Sequence, residues 1–394
     1  MHDKLRLLRV TTASISLKLL LKGQFNFFKQ QGFDVLTVSA DGPEVKDILA
    51  LGVAHQIVPM TRAITPILDL ICLYKLVRLI RDFQPDIVHS HTPKAGLLGM
   101  MAARICNVPM RLHTVAGLPL MEASGLKRWI LKLTERITYS CSTNVYPNSK
   151  GLYEFIQREF NIQSFPSDNA KSKFKIIGRG SSNGIDSIHY SRTPELIEAA
   201  HEIRSRFFIP DDIIVFCFVG RVVKDKGIVE LVHAFKKLSS SVDARLLLVG
   251  PFEQELDPLP EDVMHCIQHD TRVVVAGFQQ DVRPWILASE VFVFPSYREG
   301  FPNVVMQAAC LEVPCIVSDI NGCNEIIEDQ VSGLIVPPKD ESALYEAMAL
   351  MTRDQEKRIS FVASARKFVA ANFDQQFVWN ELLKEYQRLI HLSK

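Results

Sequence analysis

Short apolar runs alternate with stretches of helical period along the whole chain. In the first half the runs fall at residues 5–10, 33–39, 86–90, 110–114, 144–146 and 174–177. In the second half they fall at 213–219, 244–249, 272–275, 291–294, 315–317 and 334–336. Their β-branched content and weak polar alternation suit strands buried on both faces. Strands that alternate with helices predict a parallel sheet covered on both sides, and here the rhythm occurs twice. It breaks near residues 178–195, where GRGSSNGIDSIHYSRTP is rich in Gly, Ser and Pro. The expected organisation is therefore α/β, with two doubly wound, Rossmann-like domains over residues 1–190 and 191–372 of the 394. A tail over 373–394 is amphipathic, with Phe377, Leu382, Tyr386 and Ile390 at helical spacing. Two such domains facing each other would place their strand C-termini on a shared central cleft, the expected place for a ligand.

Composition adds bounds. A hydrophobic share of 47% with 23% charged residues is that of a globular protein with an ample core. The best apolar run, 64–80, is interrupted by Asp69, Lys75 and Arg78, so no membrane span is expected. Lys4, Arg6 and Arg9 break any signal-peptide core at the N-terminus. The eight cysteines show no C-x-x-C or Cys/His metal spacing, which favours reduced thiols in a cytoplasmic protein. Cys310, Cys315 and Cys323 read as packing residues, since no histidine joins them. The net charge of +1 hides an asymmetry: residues 1–190 carry 24 Lys and Arg against 14 Asp and Glu, and the rest 21 against 30. A basic first half suits an anionic partner, either a membrane surface or a diphosphate-bearing lipid. Nucleic acid is not expected, because the cations are dispersed and not interleaved with aromatics.

Candidate chemistry concentrates in residues 291–336. Glu299-Gly300-Phe301-Pro302 reads as a tight turn between strand and helix, with Pro302 as the first helical residue. Such a turn aims the free N–H groups of Asn303 and Val304, with the positive end of the helix dipole, above the sheet, which makes an anion site. Glu299, directly before it, would repel a phosphate but suits a ring of hydroxyls. Amides for phosphate beside an acid for hydroxyls form a site shaped for a sugar nucleotide. Upstream, Val219-Gly220-Arg221 ends one strand and Lys226-Gly227 starts the next helix. Arg221 and Lys226 then flank one loop, a bidentate clamp and a point charge for a diphosphate. On their own, two solvated loop cations would give the same pattern.

The motif S-x-x-E-G-x-P-x-x-x-x-Q-A at 296–308, followed by G-x-x-E-I-I-E-D-x-x-S-G at 322–333, resembles the nucleotide-sugar signature of the retaining glycosyltransferases of family four. G-R-x-x-x-x-K-G at 220–227 is similar to the same family's diphosphate loop. The resemblance implies the two-domain GT-B fold, with the C-terminal helix crossing back to the first domain. It implies donor binding by Gly220, Gly300, Phe301, Pro302, Asn303, Val304 and Gln307, and catalytic roles for Arg221, Lys226 and Glu299. Two positions depart from the family pattern. Gln307 stands where a second glutamate usually receives the ribose hydroxyls, and Ala116 stands where a histidine usually touches the donor sugar. Glutamine can accept from one hydroxyl and donate to another oxygen, without the charge-assisted part of the contact.

The first half offers weaker signals. Gly23 lies where the family has a glycine-rich turn that lets phosphate approach, although a helix glycine without a ligand would look the same. His91, at a strand end, is read as shaping the cleft or touching the acceptor, and His113 as a further cleft or structural candidate. Asn183-Gly184-Ile185-Asp186 resembles the family's hinge loop, with Asn183 facing the cleft; an Asn-Gly turn needs no such role. Glu325 resembles a glutamate that holds loop structure. The segment Gly125–Cys141 spaces Arg128, Lys132 and Arg136 along a helix beside Trp129, which reads as a surface helix or as one leaning on anionic lipid.

Taken with the resemblance, these residues imply a retaining glycosyltransferase that moves a sugar from a nucleotide diphosphate sugar to a polyprenyl-diphosphate-linked saccharide. The protein would work without cofactor, peripherally at the inner face of the cytoplasmic membrane. No D-x-D triplet occurs, so metal independence is expected, with Arg221, Lys226 and the helix N-terminus neutralising the diphosphate. The alternative is a degenerate GT-B subunit that binds nucleotide sugar or an assembly partner. An epimerase would need further cleft acids, and a phosphorylase would need a site for inorganic phosphate.

Overall fold

The computed structural model describes residues 4–162, 172–253 and 257–393. The chain divides into one unit of Met1–Gly184 with Gln375–Lys394, and a second of Ile185–Asp374. The first unit contains β1 (Arg6–Val10), α1 (Ser14–Leu20), α2 (Gln24–Gln30), β2 (Asp34–Ser39), α3 (Val45–Ala50), β3 (Ala54–Ile57), α4 (Pro66–Phe83) and β4 (Ile87–His91). It continues with α5 (Pro93–Ile105), β5 (Met110–Val115), α6 (Gly125–Cys141), β6 (Asn144–Pro147) and α7 (Lys150–Phe160). The second contains α8 (Pro194–Arg206), β7 (Ile214–Val219), α9 (Ile228–Leu238), β8 (Ala244–Val249), α10 (Glu261–His269), β9 (Val273–Gly277) and α11 (Arg283–Leu287). After these come β10 (Val291–Phe294), α12 (Asn303–Cys310), β11 (Cys315–Ser318), α13 (Cys323–Ile326), β12 (Gly333–Val336), α14 (Glu341–Arg353) and α15 (Gln355–Phe373). The last helix, α16 (Gln375–Ser393), belongs to the first unit.

Each unit is built on a six-stranded sheet, in the orders β3-β2-β1-β4-β5-β6 and β12-β11-β10-β7-β8-β9, and the strand pairs are parallel. Counted from its own first strand, each sheet has the doubly wound order 3-2-1-4-5-6. Central strands such as β7 (IVFCFV) and β10 (VFVF) are buried at every residue, which is why they read as unbroken apolar runs. Helix starts follow the capping rules. Ser149, Thr193, Asp340 and Asp354 each accept an N–H of the first turn they cap, and Pro66 and Pro194 open their helices.

The expected strand at 174–177 is corrected. Phe174 makes a single bridge to Val145, through Val145 N–H to the Lys173 carbonyl (2.7 Å) and Lys175 N–H to the Val145 carbonyl (3.1 Å). Gly178 and Gly180, at φ 57° and 113°, then turn the chain away before a ladder can form. The sixth strand is instead β3, whose sequence AHQI is mostly exposed at a sheet edge and so lacks an apolar signature. In α16 the buried face is Val378, Trp379, Leu382, Leu383 and Tyr386, and Phe377 is exposed. Trp379 and Tyr386 pack on Phe27 and Phe28 of α2, so this helix completes the first unit's core.

Candidate active site

In the second sheet the strand order reverses between β7 and β10, which pair directly. Ligands of doubly wound sheets bind at the carboxyl ends of the strands flanking such a reversal. The residues following these two strands are Gly220–Gly227 and Pro295–Pro302. Gly227, at φ +71°, lets the first loop press on the second, because a Cβ there would overlap the Pro295 carbonyl. The approach brings Lys226 Nζ to 2.5 Å from Glu299 Oε1, which also accepts from Ser296 Oγ at 3.2 Å.

Arg221 projects from the same loop, half-exposed, and pairs with Glu253 at 2.8 Å and Asp225 at 3.5 Å. Partial burial opposes its charge, but the bond to Glu253 and the Asp225, Glu253 and Glu299 carboxylates together raise its pKa. Arg298 donates to Asp225 at 3.1 Å. The sequence motifs did not identify Glu253 and Asp225 as partners of the cations. Glu253 is partly exposed, so Arg221 can exchange this carboxylate for another anion at modest cost, whereas the more buried Asp225 keeps the fork positioned.

Pro302 is the N-cap of α12 rather than its first helical residue: its backbone is extended (φ −77°, ψ 107°) and the helix opens at Asn303. No side chain caps the first turn, so the leading N–H groups of Asn303 and Val304 point ahead of the helix. Phe301 is buried against Phe373, with ring centroids 5.0 Å apart, so only its main chain is available to a ligand. Asn321 Nδ2 donates to the Glu299 and Gly300 carbonyls. A Cβ on Gly322 would meet the Gly300 carbonyl and Pro302, so this glycine is required by the close approach. Glu325 accepts the Gly322 N–H at 3.4 Å, a loop-holding contact. Along α12, Asn303, Val304 and Gln307 are the partly exposed positions. Gln307 Nε2 donates to the Tyr190 hydroxyl (2.9 Å), while its buried Oε1 has no partner among the described residues.

In the first unit the candidate residues are drawn into the packing of the unit itself. Gly23 sits at a break between α1 and α2 with φ +81°, and the Trp379 indole fills the space beside it, 2.5 Å from where a Cβ would stand. Packing against Trp379 by itself requires a glycine here. His113 is buried beneath Gly96 and bonds Ser90 Oγ at 2.9 Å, and burial lowers its pKa to about 4. Asn183 spends its amide inside the unit: Oδ1 accepts from Gln24 Nε2 (2.9 Å) and Trp379 Nε1 (2.7 Å), and Nδ2 donates to the Lys22 carbonyl (3.0 Å).

His91 is buried too, in a network centred on Arg9, which the sequence reading missed. Arg9 is fully buried in β1 and donates to His89 Nδ1 (3.0 Å), His91 Nε2 (2.8 Å) and Gln24 Oε1. No carboxylate among the described residues pairs with it; its guanidinium lies over the Phe28 and Tyr386 rings. Arginine can only donate, so His91 must carry its proton on Nδ1 and His89 on Nε2, where it reaches Thr114 at 2.7 Å. Burial, then the neighbouring His91 for His89 and Arg9 for both, holds the two imidazoles well below their ordinary pKa and keeps them neutral.

Residues 213–354 match the family described as glycosyl transferases group 1, and residues 11–149 match glycosyl transferase 4-like. CapM of Staphylococcus aureus, a capsular polysaccharide biosynthesis glycosyltransferase, is 34% identical over 392 residues, 99% of this chain and 98% of CapM. The Escherichia coli UDP-Gal:α-D-GlcNAc-diphosphoundecaprenol α-1,3-galactosyltransferase is 27% identical, covering 90% of this chain and 89% of its own. Among solved structures, a glycosyltransferase from Rickettsia africae superposes with a TM-score of 0.79 at 19% identity, covering 99% of both chains. Anabaena HepE, crystallised with UDP, superposes with a TM-score of 0.78 at 17% identity over 98% of this chain and 99% of HepE. The chain belongs to the group 1, family-four glycosyltransferases and has their GT-B fold.

Proposed function

We propose that the protein transfers a hexose or N-acetylhexosamine from a UDP-sugar to a hydroxyl of a polyprenyl-diphosphate-linked saccharide in surface polysaccharide assembly. The reaction retains anomeric configuration and needs no metal. The observation that carries this reading is the meeting of Arg221, Lys226, Glu299 and the α12 N-terminus where the second sheet reverses. In the proposed reaction the bond between the anomeric carbon and the diphosphate oxygen breaks, and the electron pair leaves with UDP. Arg221, Lys226 and the Asn303 and Val304 amides neutralise the growing charge. The acceptor oxygen attacks the same face of the oxocarbenium-like centre, and its proton passes to the departing phosphate oxygen. Lys226, already bonded to Glu299, would bridge that carboxylate and the diphosphate, while Glu299 orients the sugar hydroxyls. CapM supports a place in surface polysaccharide assembly. The Escherichia coli relative, which uses UDP-Gal and a diphosphoundecaprenol-linked acceptor, supports a uridine donor and a lipid-linked acceptor, as HepE crystallised with UDP does for the donor. The basic first half fits peripheral work at the anionic inner face of the cytoplasmic membrane. No helix among the described residues is long and apolar enough to cross a membrane.

The test is transfer from UDP-sugars to a polyprenyl-diphosphate saccharide by the purified chain in excess chelator, with the product anomer read by NMR. Turnover to an α-glycoside without metal is expected. A manganese or magnesium requirement restored on re-addition would refute the proposed way of holding the diphosphate, and donor binding without turnover would establish the non-catalytic subunit.

Gln307 gives a separate prediction from its unpartnered Oε1. Gln307→Ala is expected to weaken UDP binding, and Gln307→Glu to preserve or tighten it by up to ~1–2 kcal/mol through a charge-assisted bond. The Tyr190 hydroxyl, now the acceptor from Gln307, can donate to the new carboxylate. Unchanged UDP affinity in the alanine variant, measured by calorimetry, would place the ribose elsewhere.

A further inference from the structure

Two helices of the first unit expose more apolar surface than its own folding uses. In α4 Cys72, Leu76 and Ile80 are buried. On the opposite side Ile67, Leu70 and Tyr74 are 79%, 67% and 68% exposed, with Ile71 and, just ahead of the helix, Ile64 exposed beside them. Spacings of three and four gather these residues into one stripe along the outer face. Arg62, Lys75 and Arg78 are exposed along its borders, and Asp69 within the stretch is neutralised by Lys94 at 2.7 Å. In α6, Leu126 and Trp129 are 74% and 63% exposed, opposite the buried Glu135, Thr138 and Tyr139, with Lys127 and Arg136 exposed nearby. Arg128 and Lys132 are less available than their spacing suggests, since both pair with Glu159, at 2.5 and 2.7 Å.

Helix α5 packs between α4 and α6. The three connect β3 to β4, β4 to β5 and β5 to β6, all advancing the same way across the sheet. Right-handed crossovers place such helices on one face, so both apolar stripes look outward from one layer. Stripes of this size on a soluble domain mark a contact surface.

We propose that this α4–α6 layer is the surface by which the protein docks on an anionic lipid bilayer. Ile64, Ile67, Leu70, Ile71 and Tyr74, with Leu126 and Trp129, enter the headgroup boundary, and the bordering cations meet lipid phosphates. Charge decides against a second copy as the occupant, because two such layers face to face would oppose their cations. The assignment rests on the lipid-linked acceptor reading and names the surface that would bring the enzyme to it.

The test uses the full chain, phosphatidylcholine vesicles with and without phosphatidylglycerol, and the double variant Ile67→Glu, Leu70→Glu. Both positions are exposed, so folding should persist, and circular dichroism checks it. The parent is expected to co-sediment with anionic vesicles and to release partly as salt rises. Its Trp129 emission should shift to the blue on binding, a clean signal because Trp285 and Trp379 are buried. The variant should bind about tenfold or more weakly, with activity on a short-chain, water-soluble acceptor unchanged. Equal vesicle binding by parent and variant would overturn the proposal, as would self-association of the parent that the substitutions abolish without any vesicle binding. Loss of vesicle binding in the variant, with no transfer by the parent to any lipid-linked acceptor, would leave the surface standing and remove the acceptor reading.

Discussion

Replacing Arg221 by alanine is expected to lower kcat/KM about 30- to 1,000-fold, the equivalent of ~2–4 kcal/mol of transition-state stabilisation. In the proposed reaction the charge that Arg221 meets grows as the diphosphate departs, so kcat should fall more than donor affinity. Arg221→Lys should recover part of the loss, because it keeps a charge but not the bidentate fork. Folding should be little affected: Arg221 is half-exposed, its pair with the partly exposed Glu253 contributes little to stability, and the more buried Asp225 keeps its pair with Arg298. Steady-state kinetics on the folded variants decides the matter. Activity within a few-fold of the parent would remove Arg221 from the site.

The second large effect lies outside the site. Glu135 is buried in α6, facing the Tyr139 hydroxyl one turn on, a contact that offsets only part of the cost of burying its charge. Burial pushes the carboxyl up to about 7, from an ordinary 4.5. As pH rises above 4.5 the unfolded chain releases this proton first, so it binds fewer protons than the folded chain and stability falls. The loss is complete once pH passes the folded value near 7, and it amounts to ~3 kcal/mol. Glu135→Gln removes the titration. Between pH 5 and pH 8 the parent should lose about that much more stability than the variant, measured as the change in unfolding free energy of the first unit's transition. Parallel pH profiles for the two proteins would mean that Glu135 reaches water.

Much of the architecture was legible because a strand covered on both faces must be apolar throughout, and helices that cover it must repeat every three to four residues. Eleven of the twelve expected strand positions hold a strand, with ends shifted by a residue or two. The exceptions have local causes. β3 is an exposed edge strand with no apolar run to announce it, and 174–177 is apolar because it leans on β6, not because it joins a ladder. The loops after β7 and β10 were legible for a related reason. Gly220 to Lys226 follow β7 and Glu299 to Gln307 follow β10, so spacing alone brings each set to its own strand end.

The sequence by itself determined two doubly wound sheets, the loop cations, the acid before a helix N-terminus, and the departures at Gln307 and Ala116. Tertiary structure decided which carboxylate each cation holds, Glu253 and Asp225 for Arg221 and Glu299 for Lys226. It also decided that His91, His113 and Asn183 are buried in the first unit, and that Trp379, far along the chain, is what Gly23 accommodates. Periodicity and spacing report backbone conformation and which face is covered, both properties of neighbouring residues. Arg9, Gln24, His89, Asn183 and Tyr386 meet only after sheet and C-terminal helix have packed, and the partner of a buried polar group is set by that packing.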